Sequence, residues 1–214
     1  NAKSVTVEAL DDTDILSVIG GINVGGKVAA GAGVAYTEIG DVSTGTENGQ
    51  HVTAEINNSE INSVDAGSTV SANAEDTARV YNIAIGVGGA GNVAVQGASA
   101  TTLINKETSA GINSTNIDAG HEGSTKANVT VDAQNSSEIT SSADVAAAAG
   151  SGAGVGAGIA VNRIIQQTNA TVNGGTMNIN NLTVNANAAP RIENIGIGAG
   201  VAGTGAGVTG SVAV

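Results

Sequence analysis

Several residue types are scarce in this sequence. It has no cysteine, phenylalanine or tryptophan, one proline and two tyrosines among 214 residues. The lack of cysteine excludes disulfide bonds and cysteine-ligated zinc sites. Without aromatic rings, a core must be built from valine, isoleucine and alanine, which suit closely packed strands. A globular enzyme with an aromatic-filled core is therefore not expected.

Basic residues are also few. Seven lysines and arginines stand against nineteen aspartates and glutamates, so the formal net charge is −12. This balance excludes nucleic acid as a partner, because its binding requires clusters of lysine and arginine that displace phosphate counterions. It also opposes docking on anionic membranes. Residues 195–214 carry no charge, but they lack leucine and aromatic belts, so membrane insertion is not expected.

What the sequence has instead is a long internal repeat. Four segments each open with an alternating strand, such as VTVEA or LTVNA, that ends in alanine. These alanines are spaced 65, 59 and 53 residues apart, at Ala9, Ala74, Ala133 and Ala186. The sequence therefore predicts a single β-solenoid segment, 1–214, built from repeated modules. The modules cover approximately residues 5–69, 70–128, 129–181 and 182–214, of which the last is incomplete.

Each module has the same internal order. The opening strand is followed by a polar, often acidic corner, then by a glycine-rich apolar stretch, and then by a polar strand containing threonine, alanine and an aliphatic residue. Turns rich in glycine and asparagine close the module, as at residues 173–175. Period-2 alternation dominates and predicts an all-β fold. At roughly twenty residues per coil, each module is expected to supply about three coils of a parallel β-helix.

The glycine-rich stretches have two unlike faces. In NIAIGVGGAGNVAVQG, residues 82–97, one side of the strand carries Ile83, Ile85 and Val87, which are predicted to point into the core. The opposite side is made of glycine and alanine in three modules. This small-residue face comprises Ala84, Gly86, Gly88, Gly154, Gly156, Gly158, Gly196, Gly198 and Gly200. Two interpretations remain open: narrow coils require small residues where backbones crowd, or the face is an assembly surface that receives another sheet or chain.

Few residues are candidates for chemistry. His51 and His121 fall in polar turn regions and are interpreted as solvated. Asp11, Asp12 and Asp14 form an acidic corner at which weak Ca²⁺ binding is conceivable, although the glycine and terminal glutamate of an EF-hand loop are missing. We assign no catalytic, cofactor or metal residue and expect no enzyme. A polysaccharide-degrading β-helix enzyme is the remaining enzymatic alternative.

The module order resembles the repeats of leukotoxin-like filamentous haemagglutinin and adhesin proteins of bacterial surfaces. The resemblance rests on VTVxA, then IGIGxGVAGxGAGV, then a Thr-x-Ala-x-aliphatic strand, and it covers the whole chain. It implies a right-handed parallel β-helix within a long fibre that is secreted by a two-partner or autotransporter route. NIAIGVGGAGNVAV is also similar, more weakly, to the repeats of trimeric autotransporter adhesin heads, which implies a left-handed β-roll.

The expected function is structural. Scarce lysine and cysteine with abundant glycine, asparagine, serine and threonine are typical of bacterial surface proteins, so we expect an extracellular, cell-surface location. The chain begins with Asn1, as expected of a segment excised from a longer protein. The leading hypothesis is a rigid, non-enzymatic adhesin stalk whose partners are adjoining repeats and receptors on host or neighbouring cells. The alternative is a self-assembling filament or sheath subunit that joins copies of itself by β-strand complementation.

Overall fold

The computed structural model describes residues 3–43, 49–63, 67–119 and 126–214. Within these ranges the chain forms strands and no helix, so the prediction of an all-β fold is confirmed. The strands are β1 (Ser4–Gly25), β2 (Val28–Ile39), β3 (Gln50–Asn57), β4 (Glu60–Ser63), β5 (Thr69–Ala90), β6 (Val93–Asn113), β7 (Asn116–Ala119), β8 (Asn128–Ala149), β9 (Ala153–Asn173), β10 (Met177–Asn178), β11 (Asn181–Ala188), β12 (Arg191–Ala202) and β13 (Gly207–Ala213).

The strands form three parallel sheets. Sheet 1 has the order β1-β5-β8-β11, with β12 also paired to β8; sheet 2 has the order β13-β9-β6-β2, with β3 also paired to β6; sheet 3 has the order β10-β7-β4. Along the chain, strands fall in sheet 1, then sheet 2, then sheet 3, and this order repeats. Parallel pairing requires such connections, because the chain must return to the same end of a sheet before the next strand begins.

The register of sheet 1 follows the module repeat. Ala9 pairs with Ala74, which pairs with Ala133, which in turn pairs with Ala186. The spacings of 65, 59 and 53 residues are therefore the sequence distances between neighbours in one sheet. The expectation of three coils per module was wrong, because each of the first three modules makes a single pass through the three sheets, and the fourth contributes strands to sheets 1 and 2.

The strands of sheet 1 are longer than the sequence pattern indicated. β1, β5 and β8 each contain 22 residues, and β1 runs without interruption through the predicted acidic corner at residues 11–14. β5 likewise continues through its acidic residues at 75–76. Acidic residues do not end these strands, because alternate side chains point to opposite faces and the outward ones are solvated. The chain turns after the glycine-rich stretch instead, at residues 26–27 in the first module.

The opening halves of these strands build the main hydrophobic core. Val70, Ala72 and Ala74 of β5 are at most 1% exposed and belong to one cluster with Ala110 of β6 and Ile117 of β7. The cluster therefore includes residues from all three sheets. Small and β-branched residues alternate with polar ones along each opening strand, as the period-2 pattern predicted.

The glycine-rich halves have the opposite orientation to the one predicted. Ile83, Ile85 and Val87 point away from the core, and Ile85 and Val87 are 37% and 40% exposed. Ala84 and Gly86, on the other side of the strand, are buried. The prediction that the aliphatic residues fill the core of this region was therefore wrong.

Strand continuity explains this orientation. β5 runs unbroken from its opening half into its glycine-rich half, so the alternation that places Val70 and Ala74 inward also places Ala84 and Gly86 inward. A turn at the acidic corner would have allowed the side chains to exchange faces. Because that turn is absent from β5, the small residues remain on the inner face.

Sheet 2 contains one interruption. β2 pairs with β6 as far as Ile39 opposite Ile104, and β3 resumes the pairing at Gln50 opposite Lys106. Ten residues, 40–49, therefore separate β2 from β3 in the sequence, whereas a single residue, Asn105, separates the two segments of β6 that pair with them. The pairing with β6 is parallel on both sides of this interruption.

The predicted turn at residues 173–175 is present between β9 and β10. Gly174 and Gly175 have φ angles of +69° and +81°, which side chains rarely tolerate. A Cβ atom on Gly175 would also lie 2.1 Å from the carbonyl oxygen of Thr115. Glycine is required at this position by both backbone conformation and space.

Candidate functional site

The small-residue face lies between sheets 1 and 2. All nine of its residues are on the inward sides of their strands, and those of β5 and β9 are buried. A Cβ atom on Gly86 would lie 2.5 Å from the carbonyl oxygen of Gly97, and one on Gly158 would lie 2.4 Å from that of Ala143. The two sheets are thus in backbone contact, and a side chain at either glycine would push them apart.

Larger inward side chains in this region fit opposite glycines. A Cβ atom on Gly31 would lie 1.7 Å from Nδ2 of Asn23, and one on Gly88 would lie 2.0 Å from Nε2 of Gln96. Asn23 Nδ2 also donates a hydrogen bond of 3.3 Å to Gln96 Oε1. Asn23 and Gln96 each occupy space that a glycine leaves free, so the two sheets stay close even where a polar side chain lies between them.

The outward sides of the same segments are apolar, and we call them the outer aliphatic faces. On sheet 1 the exposed residues are Leu16, Val18, Ile22, Val24, Ile85, Val87, Ile195, Ile197 and Val201, and on sheet 2 they are Val28, Val34, Val95, Ile159, Val208 and Val212. Between β5 and β12 of sheet 1, β8 presents the smaller side chains of Asp144 and Ala146. A groove of about 240 Å³ therefore runs between Ile85 and Ile197.

A row of polar residues crosses the interface between sheets 1 and 2 beside the main core, and we call it the polar row. In each of three layers a donor from sheet 2 is hydrogen-bonded to an acceptor from sheet 1: Gln50 to Asp11 at 2.9 Å, Lys106 to Asp76, and Gln166 to Asn135. The three acceptors are register neighbours in sheet 1, and the three donors are register neighbours in sheet 2. Only the middle layer of this row contains a lysine.

Lys106 is fully enclosed. Its side chain and that of Asp76 are both 0% exposed. Lys106 Nζ donates a hydrogen bond to Asp76 Oδ1 and another, of 2.8 Å, to Asp11 Oδ2. Thr108 Oγ1 donates to the second oxygen of Asp76 at 3.5 Å. The ammonium group therefore lies between two carboxylates, and its removal would leave a buried charge without a partner.

The two carboxylates have opposite pKa shifts. Burial raises the pKa of Asp76 above its ordinary value, and the hydrogen bond and charge of Lys106 offset only part of that rise. Burial also raises the pKa of Asp11, but the hydrogen bond and charge of Lys106, with a hydrogen bond from Thr13, lower it by more. Asp11 is 23% exposed, whereas Asp76 has no exposed surface, which explains the difference.

A second polar row lies closer to the glycine-rich region. Asn82 Nδ2 donates to Thr102 Oγ1 at 3.0 Å, and in the next layer Ser141 Oγ donates to Asn162 Oδ1 at 2.9 Å. Asn82 and Ser141 are neighbours in sheet 1, and their partners are neighbours in sheet 2. These buried bonds fix the position of one sheet against the other, because sliding would leave several polar groups unpaired.

The predicted acidic corner does not gather its three carboxylates. Asp11 points inward to Lys106, whereas Asp12 and Asp14 point outward, and their carboxylate oxygens lie 3.6 and 3.5 Å from Nη1 of Arg79. Strand alternation separates them onto two faces, so they cannot surround one ion. No group of three or more metal-ligating side chains is found among the residues that the structure describes.

The two predicted histidines are not shown to form a site. His51 is exposed, and its Nδ1 lies 3.3 Å from Oε2 of Glu107, its neighbour in the adjacent layer. His121 lies outside the described residues. The structure thus places a carboxylate beside the one described histidine at the surface, and a surface contact of this kind contributes about 0–1 kcal/mol.

Lys106 was missed by the sequence analysis, although a signal was available. Lys106 shares its side of the strand with Ile104 and Thr108, and Asp76 shares its side with Ala74. A charge on the apolar side of a strand predicts a buried partner. The spacing could not identify that partner, because the two residues are 30 positions apart and belong to different sheets.

The function must be argued from this geometry. The described residues include no helix long and apolar enough to cross a membrane. The chain matches no known protein family, no curated protein and no solved structure.

Proposed function

We propose that this chain is a rigid, non-enzymatic segment of an extracellular bacterial fibre, a right-handed parallel β-helix of the adhesin-stalk type. The observation that carries the proposal is the in-register parallel pairing of each module with the next, in all three sheets for the first three modules and in sheets 1 and 2 for the fourth. A chain that stacks its modules in this way grows along one axis, and each layer contacts only its neighbours. Length is then gained by adding layers, without a larger core.

The interior supports a load-bearing role. Two polar rows and the contact between glycine-rich backbones connect sheets 1 and 2 at several heights of the strands. The hydrogen bonds are directional, and the glycine-rich backbones are in close contact, so both resist sliding of one sheet over the other. Such a rigid interior is better suited to a stalk that transmits force than to a mobile pocket that binds a substrate.

Composition supports the extracellular location and the solubility of the fibre. The net charge of −12 resides largely on outward side chains such as Asp12 and Asp14, which favour solubility. Absence of cysteine makes stability independent of disulfide formation during export. The resemblance to filamentous adhesin repeats points to the same location.

The stalk proposal predicts how length depends on copy number. The described strands form four layers in sheet 1, and parallel strands are spaced about 4.8 Å apart, so each added copy lengthens a rod by about 19 Å. Tandem fusions of two, three and four copies should show this increment in the maximum dimension from small-angle X-ray scattering. Fusions through a long flexible linker provide the control. Compact particles without a regular increment would overturn the stalk.

The open sheet edges support a second candidate, a self-assembling filament subunit. β1 lies at one edge of sheet 1, and β11 and β12 lie at the other, all in parallel orientation. One copy's β12 edge can therefore pair with the β1 edge of the next by strand complementation. Size-exclusion chromatography and negative-stain imaging over a range of concentrations test this. Micrometre fibres support the filament, and discrete monomers at every concentration exclude it.

The outer aliphatic faces support lateral contact between copies in either assembly. A chain with a net charge of −12 repels its copies over most of its surface, whereas these faces carry few charges. Apolar faces of this kind mark interaction surfaces on soluble proteins. Side-by-side packing of fibres is therefore expected to place the outer aliphatic faces together.

A further inference from the structure

The middle layer of the polar row brings an amine and a carboxyl group together without water. Lys106 and Asp76 have no exposed side-chain surface, and Nζ is hydrogen-bonded to Asp76 Oδ1. A second carboxylate, that of Asp11, accepts a hydrogen bond of 2.8 Å from the same nitrogen. We propose that Lys106 and Asp76 condense into an intramolecular isopeptide bond, with Asp11 as the proton-transfer group.

The step is a balanced dehydration that needs no cofactor. A proton passes from the Lys106 ammonium to the Asp76 carboxylate, which gives a neutral amine beside a neutral carboxylic acid. The nitrogen lone pair then attacks Cγ of Asp76, and Asp11 takes the second nitrogen proton. Asp11 returns that proton to a hydroxyl on the tetrahedral carbon. The Cγ–O bond breaks, one water leaves, and an amide joins Nζ to Cγ.

The surroundings favour each part of this step. Nζ already contacts the oxygen bonded to the carbon it must attack, so little movement is needed to reach bonding approach. Thr108 Oγ1 hydrogen-bonds the other oxygen of Asp76 and holds the carboxyl in place. Exclusion of bulk water makes the charged pair less stable than in solution and removes the water that would hydrolyse the product.

Protonation states agree with these roles. Burial raises the pKa of Asp76, so this carboxyl accepts the lysine proton more readily than an exposed aspartate does. The lower pKa of Asp11 keeps it ionised, which is the state in which a carboxylate can accept a proton. The geometry of the three groups carries the proposal, and these shifts are consistent with it.

Neighbouring layers provide internal controls. In the first layer Asp11 faces Gln50, and in the third Asn135 faces Gln166, so neither layer sets an amine against a carboxyl. Bond formation is therefore expected once in the described part of the polar row, between β5 and β6. The bond would join sheet 1 to sheet 2 covalently across the interior.

Mass spectrometry of the denatured wild-type chain tests the proposal directly. The expected intact mass is that of the sequence minus one water. Trypsin cannot cleave after an amidated lysine, so digestion should yield peptide 80–126 covalently joined to peptide 28–79. A full sequence mass, with free peptides 80–106 and 107–126, would overturn the proposal. This measurement does not depend on the folding of any variant.

Two substitutions assign the water loss and the role of Asp11. Lys106→Arg keeps a buried cation but cannot form the amide, so it should retain the full mass; water loss in this variant as well would overturn the assignment. Asp11→Asn keeps the side-chain shape and removes the proton acceptor. When newly synthesised chains from cell-free translation are sampled over time, its water loss should be slower than that of the wild type by about 10²-fold or more. A wild-type rate in Asp11→Asn would overturn the role given to Asp11.

Discussion

The substitution Gly86→Ala tests whether the small residues face the interior. A Cβ atom at this position would lie 2.5 Å from the carbonyl oxygen of Gly97, whereas ordinary contact begins at 3.4 Å. Sheets 1 and 2 must therefore separate locally by roughly 0.9 Å. The obstacle is backbone of the facing strand, which cannot move aside as a flexible side chain can.

The magnitude follows from two opposing effects. Overpacking of a well-packed interior destabilises a protein by about 1–3 kcal/mol. Alanine restricts the unfolded chain more than glycine does, which stabilises by about 0.4–1 kcal/mol. We therefore expect Gly86→Ala to lower the free energy of unfolding by about 1–2 kcal/mol, measured from urea transitions followed by circular dichroism.

Gly89→Ala is the matched control on the same strand. Gly89 lies on the outward side of β5, its φ angle is not positive, and a Cβ atom there meets nothing within 4 Å. Its substitution should leave stability unchanged or raise it by about 0.4–1 kcal/mol. If Gly89→Ala were the destabilising change and Gly86→Ala the neutral one, the inward placement of the small residues would be refuted.

Three further outcomes are expected. Lys106→Met leaves Asp76 buried without its amine partner, so Lys106→Met/Asp76→Leu, which removes the carboxyl as well, should be more stable than Lys106→Met by about 3–5 kcal/mol in urea transitions. Equal stability of the two variants would contradict the cost assigned to an unpaired Asp76. Ile197→Lys should change the free energy of unfolding by less than about 0.5 kcal/mol and should reduce lateral association in sedimentation experiments. Undiminished association would show that the outer aliphatic face of sheet 1 takes no part in lateral contact. Gly175→Ala should destabilise by about 1–3 kcal/mol through its positive φ angle and its contact with Thr115, and an unchanged thermal midpoint would contradict that reading.

The sheet architecture was largely predictable from the sequence. Parallel strands of equal pattern stack most favourably with like residues side by side, so the repeated alanines Ala9, Ala74, Ala133 and Ala186 also give the register of sheet 1. Period-2 alternation specified strands because no stretch of the chain offered a competing helical pattern. The number of coils per module was not predictable in the same way. Acidic residues occur in turns as well as on the outward side of strands, so the acidic residues did not distinguish a turn from one continuous strand.

The orientation of the glycine-rich segments could not be predicted from alternation alone. Alternation separates Ile85 from Gly86 but does not say which side meets another sheet. Burial of aliphatic area favours Ile85 inside, whereas backbone contact between two sheets leaves room only for Gly86. Gly86 faces the interior because β5 is continuous with an opening half whose small residues already point inward. The 22-residue length of β5 depends on the whole fold and not on the local sequence pattern.

The partner of the buried lysine was unpredictable for a related reason. Lys106 and Asp76 are brought together by the meeting of two sheets, which no local pattern describes. The charge of a lysine ordinarily indicates solvent exposure. Its position on the inward side of β6 becomes informative only after the strand bounds are known.

The interruption of sheet 2 shows how this architecture accommodates new sequence. Ten residues, 40–49, replace the single residue that β6 has at the equivalent place, yet Ile39 and Gln50 keep partners in unbroken register. Ring-closure entropy rises only slowly with loop length, so such an insertion changes stability little. In the fibre segment proposed above, the sequence at this junction can therefore be lengthened, shortened or exchanged while the paired strands on either side stay the same. What the proposed fibre binds can then vary independently of what makes it stiff.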